Sequence, residues 1–203
     1  AGGQEITNLG WGGPALNAQS GSTTGADSND PKFLDWTGEN HVYLPGGANS
    51  LTVPDAAALD ITGDIDIRVY VALDDWTAGA DRVFLSKFTG SGTYSYELAM
   101  ASTDRLRFFW SVDGTAQLFE TCDDPLTVSD GDGLWVRVTM DVDDGASNYA
   151  VKFYQSDDGS SWTQVGATET GAATTSIFAS TADVHVMART TSGTRDNFGK
   201  VYR

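Results

Sequence analysis

The chain has 203 residues and a formal net charge of −16 at pH 7, which repels phosphate backbones and anionic membrane surfaces and so argues against nucleic-acid partners and membrane insertion. Its 40% hydrophobic and 11% aromatic content is too rich for a disordered acidic chain, and the length suits one domain with one sizeable core. There is no uninterrupted apolar run of about 18 residues of the kind that crosses a bilayer.

The first forty residues carry Gly2, Gly3, Gly10, Gly12, Gly13, Gly21 and Gly25, which break any regular pattern. Residues 1–40 therefore read as a Gly-rich arm or lead-in segment, and 41–203 as the folded domain. The chain opens on Ala1 rather than Met, with no basic-then-apolar leader, so the expectation is a removed leader or a longer parent polypeptide.

Past His41 a period of two dominates. Ser50 to Val53 is the first short strand, and Pro54 to Leu59 (PDAAAL) is the one stretch suited to a helical turn, with Thr52 or Asp55 as its cap. In ITGDIDIRVYVALDDW the apolar Ile65, Ile67, Val69, Val71 and Leu73 alternate with Asp66, Arg68, Tyr70 and Ala72, which predicts a strand with its odd side in the core. Strands are also expected at Val83 to Phe88 and, buried on one face, at Tyr94 to Met100, where Tyr94, Tyr96, Leu98 and Met100 alternate with Ser95, Glu97 and Ala99, and at Leu106 to Trp110. Three more follow, around Val136 to Val142, Val151 to Phe153 and Val184 to Val186. Between them lie Asp113-Gly114, Asp130-Gly131-Asp132-Gly133, Asp144-Gly145 and Asp158-Gly159, dipeptides suited to chain reversal. At least eight short strands spaced by such turns predict an all-β, antiparallel two-sheet jelly-roll sandwich.

Chemistry-bearing residues are few. Asp64 and Asp66 share a strand face, as do the acids of retaining glucanases, whose carboxyl groups stand about 5 to 5.5 Å apart. The next position on that face is Arg68, which would hold a neighbouring carboxylate ionised rather than poise it as a general acid, so an ion pair is expected. His41 and His185 read as ordinary exposed strand residues, and no Gly-rich phosphate loop leads into a helix. The single Cys122 has no partner for an internal disulfide. No cofactor is required, but calcium is the one to test, since Asp81, Asp123, Asp124, Asp130, Asp132, Asp143, Asp144, Asp157 and Asp158 lie in acidic loops. Paired Asp-Asp-Gly is equally what a hairpin uses.

Aromatics beside cations on the face away from the core are the candidate carbohydrate or partner contacts: Tyr70 with Arg68, and Phe109 with Arg107. Trp76 and Trp162, near loops, are further candidates, with Trp162 expected to pack a hairpin, and Tyr96 and Trp110 are expected in the core.

The succession HVYLPGGANSLTVPDAAALDITGDIDIRVYVALDDW, LWVRVTMDVDDG, VKFYQSDDGSSWTQVG, TTSIFAST and FGKVYR resembles the laminin-G-like, concanavalin A-like jelly roll. The version it is most similar to is that of minor tail and other virion-surface proteins of bacteriophages infecting actinobacteria, from about His41 to Arg203. NLGWGGPALNAQSGSTTGADSNDPKFLDW resembles the segment leading into that domain. The resemblance implies a non-catalytic module on the tail or capsid exterior. It would adhere to host cell-surface glycans, or contact other virion proteins as a decoration, and a homo-oligomer, a trimer for instance, would be strapped by the arm. A carbohydrate-binding module or a secreted glucanase-like hydrolase is the alternative from the residues themselves. Members of that group continue past GKVYR, where this chain stops at Arg203.

Overall fold

The computed structural model of the chain describes residues 4–6, 18–20, 32–36, 39–45, 51–77, 79–189 and 198–202, with side chains for 41–44, 51–77, 79–189 and 199–202. Alternating residues become strands throughout. In chain order they are β1 (Gln4–Ile6), β2 (Ala18–Ser20), β3 (Lys32–Trp36), β4 (Glu39–Pro45) and β5 (Leu51–Val53). Then come β6 (Ile65–Leu73), β7 (Arg82–Phe88), β8 (Tyr94–Met100), β9 (Leu106–Trp110) and β10 (Leu118–Thr121). The last are β11 (Gly133–Asp141), β12 (Tyr149–Ser156), β13 (Thr163–Gly171), β14 (Val184–Val186) and β15 (Phe198–Tyr202).

They form two antiparallel sheets of the jelly-roll type. One runs β1-β2-β5-β14-β7-β8-β9-β10 and the other β13-β12-β11-β6-β15-β4-β3. The described parts of the first forty residues lie in β1 and β2, which extend the first sheet past β5, in β3 at one edge of the second, and in the start of β4.

The period of two fixes what lies between the sheets. Ile65, Ile67, Val69 and Val71 of β6, Val136, Val138 and Met140 of β11, and Val151 and Phe153 of β12 pack in one cluster. Opposite them in that cluster are Phe84, Tyr96, Leu98, Met100, Leu106, Phe108 and Trp110 of the other sheet. The expectation for Tyr96 and Trp110 holds: both are buried.

Three local expectations are corrected. The helical turn is a single 3-10 turn over Ala57–Leu59 with no side-chain cap. Thr52 lies instead in β5 with its hydroxyl on His185 Nδ1 at 3.2 Å, and Asp55 faces Lys87. His41 and His185, expected to be exposed, are both buried. Strand β8 was expected to bury one face, yet Ser95, Glu97 and Ala99 are buried as well, because Phe88, Tyr94, Phe109 and Arg189 cover its second face. Strand β13 (TQVGATETG) escapes a hydrophobic pattern because Val165 is its one buried residue; it is a strand because β12 offers it a free edge.

Candidate functional site

Strand register lays the outward residues of the seven-stranded sheet in rows across the strands. In β6 and β11, Tyr70 stands opposite Trp135, Arg68 opposite Arg137 and Asp66 opposite Thr139. In β11 and β12, Arg137 stands opposite Tyr154 and Thr139 opposite Lys152.

The first row is aromatic. Tyr202, Tyr70 and Trp135 follow one another with ring centroids 4.5 and 5.3 Å apart, and Trp162, just ahead of β13, meets Trp135 edge-on at 6.4 Å. Tyr70 reaches its place because β11 begins with Gly133: a Cβ there would come within 2.3 Å of the Tyr70 hydroxyl. The Tyr70 and Trp135 planes differ by 17°, so the two rings spend their faces on each other and turn edges to solvent.

The second row holds two arginines directly opposite each other, an arrangement that repels unless a counter-charge intervenes. Asp66 supplies it. Its Oδ1 accepts from Nε of Arg68 and of Arg137 at 3.0 Å each, and its Oδ2 from both Nη2 groups at 2.7 Å. Hydrogen bonds from Arg68, then those from Arg137, outweigh the opposing burial and hold the Asp66 carboxyl down to about 2. The guanidinium groups lie over Trp162 at 5.7 and 5.4 Å, and Arg137 also over Tyr154 at 4.9 Å.

Beyond Asp66 the same face dips into a groove of about 710 Å³ between β6, β11, β12 and β13. Its lining mixes carboxylates (Asp64, Asp66, Asp141, Asp144) with the hydroxyls of Thr139, Thr168 and Thr170 and the ammonium of Lys152. That volume is in the range of small-ligand sites, and the lining is rich in groups that bond hydroxyls.

A jelly-roll sandwich with a polar groove on one outer sheet face is what the chain presents to comparison. No protein-family model matches it, and no characterised protein does by sequence. Solved structures do. The carbohydrate-binding module CBM40 of the Ruminococcus gnavus IT-sialidase, bound to alpha2,3 sialyllactose, is similar over 72% of this chain and 76% of its own, with TM-score 0.51 and 15% identity. The fold is shared. A second structure of that module has TM-score 0.48 and 14% identity over 85% of this chain and 88% of its own. The SAP-like pentraxin of Limulus polyphemus has TM-score 0.41 and 11% identity over 75% and 72%.

Of the residues singled out in the sequence, the jelly roll brings Arg68, Tyr70 and Trp162 to one face and keeps Arg107 and Phe109 together on the other sheet. Arg107 and Phe109 lie on the outer side of the eight-stranded sheet. There Phe109 is only 5% exposed, covered by Arg107 at 5.7 Å, Arg189 at 5.3 Å and the ring of Phe119 at 5.5 Å; it is not an open platform. Trp76 is corrected outright: it is 1% exposed, with its indole N–H on the Asp132 carbonyl at 3.1 Å. Trp162 does more than pack a hairpin, since it takes both guanidinium groups.

The expected Asp66–Arg68 pair is present and favours the ionised form of Asp66, and Asp64 accepts the Val142 N–H at 3.0 Å. Among the described residues no group of three or more acidic, His or Cys side chains converges as a metal would need. Several loop carboxylates accept backbone N–H groups instead: Asp113 from Thr115 and Ala116, Asp144 from Ala146, and Asp158 from Ser160 and Ser161. Cys122 is a free buried thiol, pushed up to about 11 by burial.

Sequence reading passed over Trp135, Arg137, Lys152, Tyr154 and the three threonines. Arg137 and Thr139 carried the one available signal, since they alternate with core valines just as Arg68 and Asp66 do. What the sequence withholds is that β11 lies beside β6 in register.

Proposed function

We propose that this chain is a non-catalytic carbohydrate-binding domain that holds a glycan in the groove of the seven-stranded sheet. We further propose that it serves as an adhesion module on the surface of a bacteriophage particle. The observation that carries the binding reading is the groove itself: carboxylate, hydroxyl and ammonium groups gathered on one sheet face. The likeness in fold to a sialidase module that binds sialyllactose supports it. The virion setting draws its support from the resemblance of the sequence to phage tail and virion-surface domains.

A glycan array probed with the whole chain tests the binding reading. The wild type gives positive spots, and Lys152→Met weakens them about tenfold or more. A blank array defeats the reading. A reducing-sugar assay on β-glucans, with Asp66→Asn as control, finds both proteins equally inert; release by the wild type alone would make the chain a hydrolase. Antibody labelling of intact particles places the chain at the tail tip if it attaches to hosts.

A second reading is a decoration subunit that contacts other virion proteins. Val112, Leu118 and Phe119 are 43%, 39% and 53% exposed; Leu118 and Phe119 lie in β10, at one edge of its sheet, and Val112 in the connection from β9 to it. An apolar strand edge suits another protein better than water. Under that reading the array stays blank and Phe119→Lys lowers incorporation into particles.

A further inference from the structure

We infer that the glycan held in this groove is a neutral one, read through adjacent hydroxyl groups, and that acidic sugars are refused. The inference rests on the carbohydrate reading above and narrows it. Three carboxylates of the lining other than Asp66 are each anchored by one oxygen to a backbone N–H: Asp64 on Val142, Asp141 on Asp143 and Asp144 on Ala146. Anchoring fixes their position, while the second oxygen of each remains an acceptor. Asp66 is different, because four hydrogen bonds from two arginines consume both its oxygens and more than offset its charge.

Lys152 is the counterpart. It stands between Thr139 of β11 and the β13 side of the groove, and among the described residues its ammonium has no ion pair or hydrogen bond, although carboxylates line the same groove. Lys152 is half-buried along its stem and its ammonium is open to the groove, where it can donate to a ligand. The groove thus offers three anchored acceptors, one free cationic donor and the hydroxyls of Thr139 and Thr170. Neighbouring sugar hydroxyls can donate to a carboxylate and accept from an ammonium at once, in charge-assisted bonds stronger than neutral ones. A sugar carboxylate would meet three negative charges against Lys152 and the one arginine charge that Asp66 leaves unbalanced, a net excess of negative charge that disfavours it.

Titration calorimetry of the whole chain with matched pairs decides it, each pair being a neutral oligosaccharide and the same core bearing a sialic or uronic acid, lactose and sialyllactose among them. At low salt the neutral member binds about tenfold or more tightly than its acidic partner. Raising salt narrows the gap through screening, as does Asp141→Asn. Lys152→Gln weakens the neutral ligands with the far-ultraviolet dichroism unchanged. Equal or tighter binding of the acidic members, lost with Lys152→Gln, overturns the neutral preference while leaving carbohydrate binding in place. No binding by any member removes both.

Discussion

Lys87 has no surface in contact with water, yet its ammonium is paired. It donates to Asp55 Oδ1 at 2.5 Å and to the Ala182 carbonyl at 2.8 Å, and Asp60 Oδ1 is 3.4 Å away, near enough for charge pairing but unaligned as a hydrogen bond. Removing one partner of a buried pair costs about 3–5 kcal/mol. Because Asp55 and Asp60 keep nearly a third of their side chains exposed and can rehydrate, Lys87→Met is expected to fall below that range, at about 2–3 kcal/mol. Urea unfolding checks this, and an unmoved midpoint would show the pair to be idle.

Glu169 behaves oppositely. It stands across from inward-facing Val151, its Oε1 is buried with no hydrogen bond among the described residues, and burial, then Asp123 and Glu120, raise its pKa. A raised carboxyl stabilises the fold below its ordinary value of about 4.3, and that stability is lost as pH rises through the raised value. Glu169→Gln therefore melts higher than the wild type at pH 7, and the two converge below about pH 4. Melting curves that coincide at pH 7 would contradict this. Neither residue announced itself in the sequence, where Lys87 sits between Ser86 and Phe88 and Glu169 between two threonines.

Among the elements, β15 joins β4 to β6 and so closes the seven-stranded sheet. Its backbone comes so close to β6 that a Cβ on Gly199, at φ +151°, would lie 2.3 Å from the Ala72 carbonyl oxygen. Backbone cannot step aside as a side-chain tip can, so Gly199→Ala is expected to cost about 3 kcal/mol and to speed exchange of the β6 amides. Hydrogen exchange unchanged across β6 would mean that the strand tolerates the methyl. The strands with strong alternation, β6 and β11, were legible because one face of each is wholly apolar and the other polar. Those that sit against both layers of neighbours were not: β8 is buried on both faces, so Glu97 read as solvent-facing when it is clasped by Arg189.

For the molecule as a whole, the −16 charge is concentrated in aspartates, and many of them shape turns rather than bind partners. Hydrogen bonds from backbone N–H groups and neighbouring side chains lower Asp113 to about 2 and also lower Asp144 and Asp158, while Arg68 and Arg137 lower Asp66. Groups lowered on folding give stability that is complete above about pH 4 and is lost as pH falls toward their folded values. Denaturant midpoints are thus expected to hold from about pH 7 to 5 and to fall steeply between about pH 4 and 2. A flat acid limb would mean that the turns keep their shape without charge.

What the sequence determined by itself was the layered all-β class, the greasy interior and the Asp66–Arg68 pair, because alternation and near-neighbour charge are properties of a single strand. Only the tertiary structure decided that Arg137 shares Asp66, that Trp76 is interior, that Phe109 is roofed over, and that Lys152 faces a groove among carboxylates. Each of these depends on which strand lies beside which. Register between residues some seventy positions apart is set by closing the whole sheet, not by any local pattern.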